Sequence, residues 1–318
     1  MRAAMITTLG EPPELRELPV RRSPPEEGDV LIEVECVPLN PIDIAVGAGR
    51  FYGGHPDLPY VPGEEAVGRR SDTGERVWAY GRWTGGLQEL VHVRESRLTS
   101  VPEGADPAIA AACGIGGISG WLPVTWRAPV SEGDRVLVLG ATGTVGLVAL
   151  QAAKLRGAAR VVAAGRDAEG LERARRAGAD DVVTLDAGDD LVERLRSACG
   201  GDGPTYVVDP LWGAPVAAAA DACARHARIV HLGQSAGPEA TLKSSVVRGK
   251  ALDLHGHSTP FTPRDVLRRE YAELVRHVMG GEIEIEVERV PFEQLADAWR
   301  RQAEGSPKRK LVILVQSE

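Results

Sequence analysis

The run Val136-Leu137-Val138-Leu139-Gly140-Ala141-Thr142-Gly143-Thr144-Val145-Gly146 decides the fold. Four apolar, partly β-branched residues predict a buried strand, and glycines follow at the point where a helix should begin. A dinucleotide's pyrophosphate needs backbone N–H groups at close range, and a helix N-terminus supplies them with a favourable dipole. A Cβ at the approach point would hold the phosphates off. Gly143 and Gly146 take the second and third places of a G-x-G-x-x-G pattern, Ala141 stands in the first, and Gly140 precedes it. The expected cofactor contacts of this loop are Gly140, Ala141, Thr142, Gly143, Thr144 and Val145. Taken alone, such a motif is also compatible with an ordinary strand-to-helix turn.

The flanking sequence strengthens the reading. Apolar runs at 136–139, 160–164, 181–184, 205–208, 228–232 and 251–254 alternate with helical patterns at 145–156, 168–177, 190–198, 215–224 and a weaker 244–248. Six strands with crossovers predict a doubly wound parallel sheet. Before it, to about residue 117, the sequence reads as an irregular, mostly β region without a long helical period. Strand candidates there are 29–39, 76–80 and 87–93, and the acidic Pro24-Pro25-Glu26-Glu27 reads as a turn. After Pro263 a helix (264–279), a strand (282–287), a helix (292–304) and a last strand (310–316) are expected.

Cofactor choice is read about 20 residues beyond the loop, where an acidic side chain would hold the ribose 2′-hydroxyl of NAD. The run Val161-Val162-Ala163-Ala164-Gly165-Arg166-Asp167 puts Gly165 in the acid's place and Arg166 where it can grip a 2′-phosphate bidentately, which favours NADPH. The competing assignment makes Asp167 the ribose ligand and leaves Arg166 solvated.

Bulk properties narrow the class. With 318 residues, two domains are expected, and 43% hydrophobic content allows a sizeable core. A formal charge of −8 argues against a nucleic-acid face. No run approaching about 18 apolar residues is evident, so no membrane span is expected. The opening residues, soon broken by Gly10-Glu11-Pro12-Pro13, do not read as a signal peptide. Four scattered cysteines (Cys36, Cys113, Cys199, Cys223) suggest neither a disulfide framework nor a zinc knuckle, and a cytoplasmic protein is expected.

Several further segments carry a family resemblance. Asn40-Pro41-Ile42-Asp43, Pro59-Tyr60-Val61-Pro62-Gly63-Glu64-Glu65-Ala66-Val67-Gly68, Gly74-Glu75-Arg76-Val77-Trp78-Ala79 and Gly85-Gly86-Leu87-Gln88-Glu89-Leu90 resemble the N-terminal signature of the medium-chain dehydrogenase/reductase superfamily, in its zinc-free quinone oxidoreductase branch. Ser119-Gly120-Trp121, Glu132 to Val138, Tyr206 to Pro210 and Arg228 to Gly233 follow in the family's order. The resemblance implies an α/β protein with a GroES-like β-rich catalytic domain from both chain ends (1–119 and 258–318) and a Rossmann domain between them (120–257). It also implies NADPH as cofactor, with Leu232, Gly233 and Arg173 among its contacts, and a homodimer formed near 251–256.

The departures from the zinc enzymes of the superfamily are informative. Asn40 and Glu64 stand where those enzymes carry a zinc-binding Cys and His, and the cysteine cluster of the structural zinc lobe is missing. Without a metal Lewis acid, hydride transfer favours quinones and α,β-unsaturated carbonyls, whose charge delocalises. The resemblance puts Asn40 near the nicotinamide ribose and matches Tyr52 to a pocket tyrosine able to donate to an oxyanion; a lid role for Tyr52 stays open. Asp43, Glu64 and Glu65 lie on one side of the domain with at least one of them structural, and Trp83 is a candidate pocket wall, with a core or dimer-contact role as the commoner alternative. Glu172 replaces a lysine that often supports the 2′-phosphate, so Arg166 and Arg173 must compensate. An enoyl reductase of a biosynthetic pathway and a non-catalytic NADPH-binding sensor are the alternatives.

Overall fold

The computed structural model describes residues 1–20, 23–24, 26–186, 188, 190–305 and 307–316. Pro25, within the turn expected at 24–27, lies outside them. In chain order the strands are β1 (Arg2–Met5), β2 (Glu14–Glu17), β3 (Asp29–Pro38), β4 (Glu65–Arg70), β5 (Arg76–Tyr80), β6 (Leu90–Arg94), β7 (Leu98–Ser100), β8 (Arg135–Leu139), β9 (Arg160–Gly165), β10 (Asp181–Thr184), β11 (Tyr206–Asp209), β12 (Arg228–His231), β13 (Asp253–Gly256), β14 (Val287–Pro291) and β15 (Lys310–Leu314). The helices are α1 (Pro41–Gly47), α2 (Pro107–Ala112), α3 (Ile118–Leu122), α4 (Thr144–Leu155), α5 (Ala168–Arg176), α6 (Leu191–Cys199), α7 (Gly213–Ala222), α8 (Ser244–Gly249), α9 (Arg264–Met279) and α10 (Leu295–Glu304).

The chain divides into two compact units. The first comprises Met1–Gly116, Pro263–Met279 and Ile285–Glu318; the second comprises Gly117–Thr262 and Gly280–Glu284. In the first, β14-β15-β3-β4-β5-β7 form one sheet, with β6 also pairing with β3. Beyond its pairing with β4, β3 shares its other edge between two partners: Asp29–Glu33 pair with β6, while Cys36–Pro38 pair with β15. An irregularity between Val34 and Cys36 marks the change. Ile32, Val34, Val37, Leu39, Val77, Leu87, Leu311 and Ile313 supply the buried face.

The second unit is the doubly wound parallel sheet, ordered β10-β9-β8-β11-β12-β13. Its central strands are buried on both faces, so Val136–Leu139 and Val161–Ala164 read as unbroken apolar runs. Helices α3 and α4 approach closely because Gly120 lacks a side chain: a Cβ there would sit 2.3 Å from the Val145 carbonyl oxygen.

Four expectations need correction. Helices α1 and α2 arise in the stretch read as purely β. α1 starts at a capping box, in which Asn40 N–H donates to Asp43, and has Pro41 at its first turn. The strand expected at 282–287 forms at Val287–Pro291 instead, because Glu284 is held by the Gln151 side-chain amide through bonds of 2.8 and 3.0 Å. The strand expected at 251–254 begins at Asp253, since Ala251 adopts φ +49°, which no strand residue can. Finally, Pro107–Arg127 is long and apolar enough by composition to cross a membrane, contrary to the sequence reading. It is 78% buried inside the protein and interrupted by non-helical Gly114, as suits a core segment.

Replacing Gly120 with alanine should lower the unfolding free energy by about 1–3 kcal/mol through overpacking between α3 and α4. Urea denaturation measures it, and an unchanged midpoint would contradict the packing described.

Candidate cofactor and catalytic sites

In the second unit, β8 ends at Leu139 and α4 begins at Thr144. Gly140 makes the turn at φ +62°, where a side chain would be strained. The Ala141 N–H bonds the Ala164 carbonyl at 3.0 Å, tying the loop to β9. Gly143 caps α4 without a side chain, so the first N–H groups of the helix meet no capping oxygen. Gly146 permits the close approach of helix and loop, for a Cβ there would lie 2.5 Å from the Gly140 carbonyl oxygen. Thr142 is wedged against Gly165 and Gly170, whose added Cβ atoms would each fall 2.6 Å from it. This turn lies between β8 and β11, where the strand order reverses, the usual ligand crevice of such sheets.

At the end of β9 the acid that competes for the ribose role is already occupied. The Asp167 carboxylate accepts the Gly170 N–H at 2.9 Å and caps α5. Arg166 is exposed and has no ion-pair partner among the described residues. Arg173 is only 8% exposed; it lies 3.8 Å from Asp167 and 3.7 Å from Glu169, and its buried Nε has no partner. Glu172, standing where a lysine is common, pairs with Arg175 instead. Leu232 donates its N–H to the Asp209 carbonyl, and Gly233 passes close to Pro210. Buried Asp209 accepts the N–H groups of Leu211 and Trp212 and faces His231 Nδ1 at 3.0 Å, with the Trp212 ring 4.1 Å from the imidazole. The sequence reading assigned no role to this Asp209–His231 pair.

The first unit holds a buried polar network. The Glu65 carboxylate accepts the Asn40 side-chain amide at 2.8 Å, the Trp78 indole N–H at 2.6 Å and the Ile115 N–H at 2.8 Å. Lys310 Nζ donates to Asn40 Oδ1 at 2.6 Å and to the Leu39 carbonyl at 2.7 Å. Asp43 accepts the N–H groups of Asn40 and Glu64. Burial pushes the Glu65 carboxyl upward while Lys310 and the three donors pull it back; burial likewise pushes the Lys310 ammonium downward against the pull of Glu65 and Asp43. Gly114 makes room for this arrangement, since a Cβ there would lie 2.0 Å from Glu65 Oε2.

The network relocates the candidates. Asn40 is buried, with its amide and carbonyl groups engaged. Tyr52 is 81% exposed and rests on Phe51, with ring centroids 4.5 Å apart. Glu64 is buried beside Asp43, and Trp83 adopts φ +62° with its N–H on Glu64 at 3.2 Å. Lys310 escaped the sequence reading; its signal was a lysine opening an otherwise apolar strand. Among the described residues, no group of three or more His, Cys, Asp or Glu side chains is placed to hold a metal ion.

The zinc-binding dehydrogenase family matches residues 144–277. The quinone oxidoreductase of Thermus thermophilus, whose structures include a complex with NADPH, is 29% identical and superposes with a TM-score of 0.83, covering 99% of this chain and 100% of its own. The chain is thus similar, in sequence and in fold, to quinone oxidoreductases and to the zinc-binding dehydrogenase family. Human quinone oxidoreductase is 32% identical over 57% of this chain and 58% of its own length. A phenolphthiocerol/phthiocerol polyketide synthase chain of Mycobacterium tuberculosis is 28% identical over 99% of this chain, which spans 15% of that protein. The chain spans less than two thirds of the length of both of these curated relatives.

Replacing Lys310 with methionine would strand the Glu65 carboxylate in the core. Breaking a buried pair in this way costs about 3–5 kcal/mol, so calorimetry at neutral pH should show a large drop in Tm. A variant as stable as the parent would mean that Glu65 is not charged there.

Proposed function

We propose that this chain is an NADPH-dependent reductase that passes hydride to a quinone or an α,β-unsaturated carbonyl without a metal ion. The observation that carries the proposal is the glycine turn between β8 and α4, a cradle that a Cβ at Gly146 would fill and whose helix end has no capping side chain. The partnerless Nε of Arg173 is a second feature that a phosphate oxygen would satisfy.

In this reading the backbone of Gly140, Ala141, Thr142, Gly143, Thr144 and Val145 binds the pyrophosphate. Gly165 keeps the end of β9 free of an acid, and Arg166 and Arg173 grip the 2′-phosphate. Leu232 and Gly233 complete the cofactor contacts. Bound NADPH supplies a hydride ion with its two electrons. Asn40 acts as a positioning residue, because its side chain is committed to Glu65 and Lys310. Tyr52 is assigned the hydrogen bond to the acceptor's developing oxyanion, from a loop whose Gly53 carbonyl receives Arg82. Asn40 and Glu64 in place of zinc ligands support the metal-free reading.

Four free, buried cysteines suit a reducing cytoplasm. A homodimer is assigned to pairing along β13, the edge strand that carries half-exposed Leu254. The match to the polyketide synthase over nearly the whole chain favours a second acceptor class, enoyl thioesters; turnover of crotonyl-N-acetylcysteamine with none of a quinone would select it.

Calorimetric titration tests the cofactor assignment. NADPH should bind at least about tenfold more tightly than NADH, and Arg166→Ala should remove most of that margin, as loss of a charged hydrogen bond requires. Equal affinities, or an Arg166→Ala variant with unchanged NADPH binding, would contradict it.

A further inference from the structure

Three of the buried carboxylates of the first unit, Asp43, Glu64 and Glu65, lie close in sequence and space, and their hydrogen bonds separate them. Glu65 has both oxygens occupied by three donors. Both Asp43 oxygens accept backbone N–H groups. The Glu64 side chain accepts a single hydrogen bond among the described residues, from Trp83 N–H to Oε2, leaving Oε1 without a protein partner. Trp83 holds left-handed backbone to make that contact, an arrangement that costs energy and needs support. Arg82 stacks on its ring at 4.6 Å.

Glu64 lines a narrow cleft together with Asp43, Tyr60, Pro62, Trp83 and Gly85. The cleft has room for about one water molecule. The Tyr60 hydroxyl, fixed by main-chain bonds between Tyr60 and Ile6, is buried without a partner. A buried hydroxyl left unsatisfied is destabilising, so a polar occupant of the cleft is favoured.

We propose that Glu64 and Tyr60 hold one water molecule in this cleft and that the protonated Glu64 carboxyl sends its proton through that water to the enolate formed when an enone takes up hydride. The inference rests on the reductase reading above. Hydride from reduced nicotinamide forms a C–H bond at the β carbon and leaves the electron pair on the enolate. The enolate α carbon takes a proton from the water as the water takes one from Glu64. Glu64 is left as the carboxylate and regains its proton from solvent.

The electrostatics support the assignment. Burial, then the neighbouring Asp43, pushes the Glu64 carboxyl up to about 7, with Glu65 adding to the rise and Trp83 N–H and Arg82 opposing it. Tyr60, raised to about 12 chiefly by burial, keeps its proton and donates. A donor with a pKa near the working pH is the efficient one. Its acid form is lost as pH rises through about 7, so the rate should fall on that side.

The test measures kcat against pH for the full chain with NADPH and either 2-cyclohexenone or 9,10-phenanthrenequinone. Glu64→Gln should lose about 100-fold in enone turnover, as removal of a general acid does, and should lose the alkaline limb near pH 7. Its quinone turnover should change by less than about threefold, because the hydroquinone anion needs no placed acid. Tyr60→Phe, which keeps the carboxyl, should lower enone turnover less and move the limb. A Glu64→Gln enzyme with the parent's enone rate and pH profile overturns the proposal, as does an equal loss on both acceptors. Carbon-13 NMR of the glutamate carboxyls without cofactor gives a readout independent of turnover: a resonance absent from Glu64→Gln should titrate near pH 7, and titration at an ordinary carboxyl value overturns the assignment. If the parent turns over neither acceptor while that resonance titrates near 7, the reductase reading fails and proton delivery to an enolate fails with it, leaving only the raised Glu64 carboxyl.

Discussion

The close approach of α4 to the end of β8 is the constraint on which the second unit depends. It exists because Gly146 has no side chain to strike the Gly140 carbonyl, and because Gly140 can turn the chain at positive φ. Thr142, packed against Gly165 and Gly170, locks the loop to β9 and to the start of α5. One set of small residues therefore fixes the turn, the end of the second strand and the helix that carries Arg173. The same packing explains Gly165 without invoking the cofactor: the position lacks an acid because Thr142 fills the space a side chain would need.

The first unit depends on a different economy. Glu65, Asn40 and Lys310 bury charge and polarity in a β-rich core, and each of the three side chains has hydrogen-bond partners there. Such networks stabilise less than their bond count implies, since desolvation offsets much of the attraction. Their contribution here is positional. They hold the Pro38–Asp43 segment, α1 and the start of β4 in one register, which leaves Glu64, the residue before β4, directed at the Tyr60 cleft.

Much of the second unit was legible in the sequence, for physical reasons. Parallel strands buried on both faces are continuous apolar runs, and a glycine loop after the first of them marks a nucleotide-binding turn. The misses there occurred where one residue's backbone departed from its pattern, as at Ala251, or where a side chain replaced a strand partner, as at Gln151. The first unit was harder to read because its pairings are remote: β15 meets β3 across most of the chain. The capping box at Asn40 and Asp43, with Pro41 between them, was a helix signal present in the sequence but outweighed by the surrounding β pattern. Lys310 could not be matched to Glu65 without the fold, and the left-handed backbone at Trp83 has no signature in residue type.

Oxidation of NADPH and NADH, followed by absorbance with 9,10-phenanthrenequinone as acceptor and chelator-treated protein, tests the central claim most directly. The account predicts turnover with NADPH, little with NADH and no loss after chelation. Absence of turnover with both cofactors, or activity that chelation abolishes and zinc restores, would contradict it.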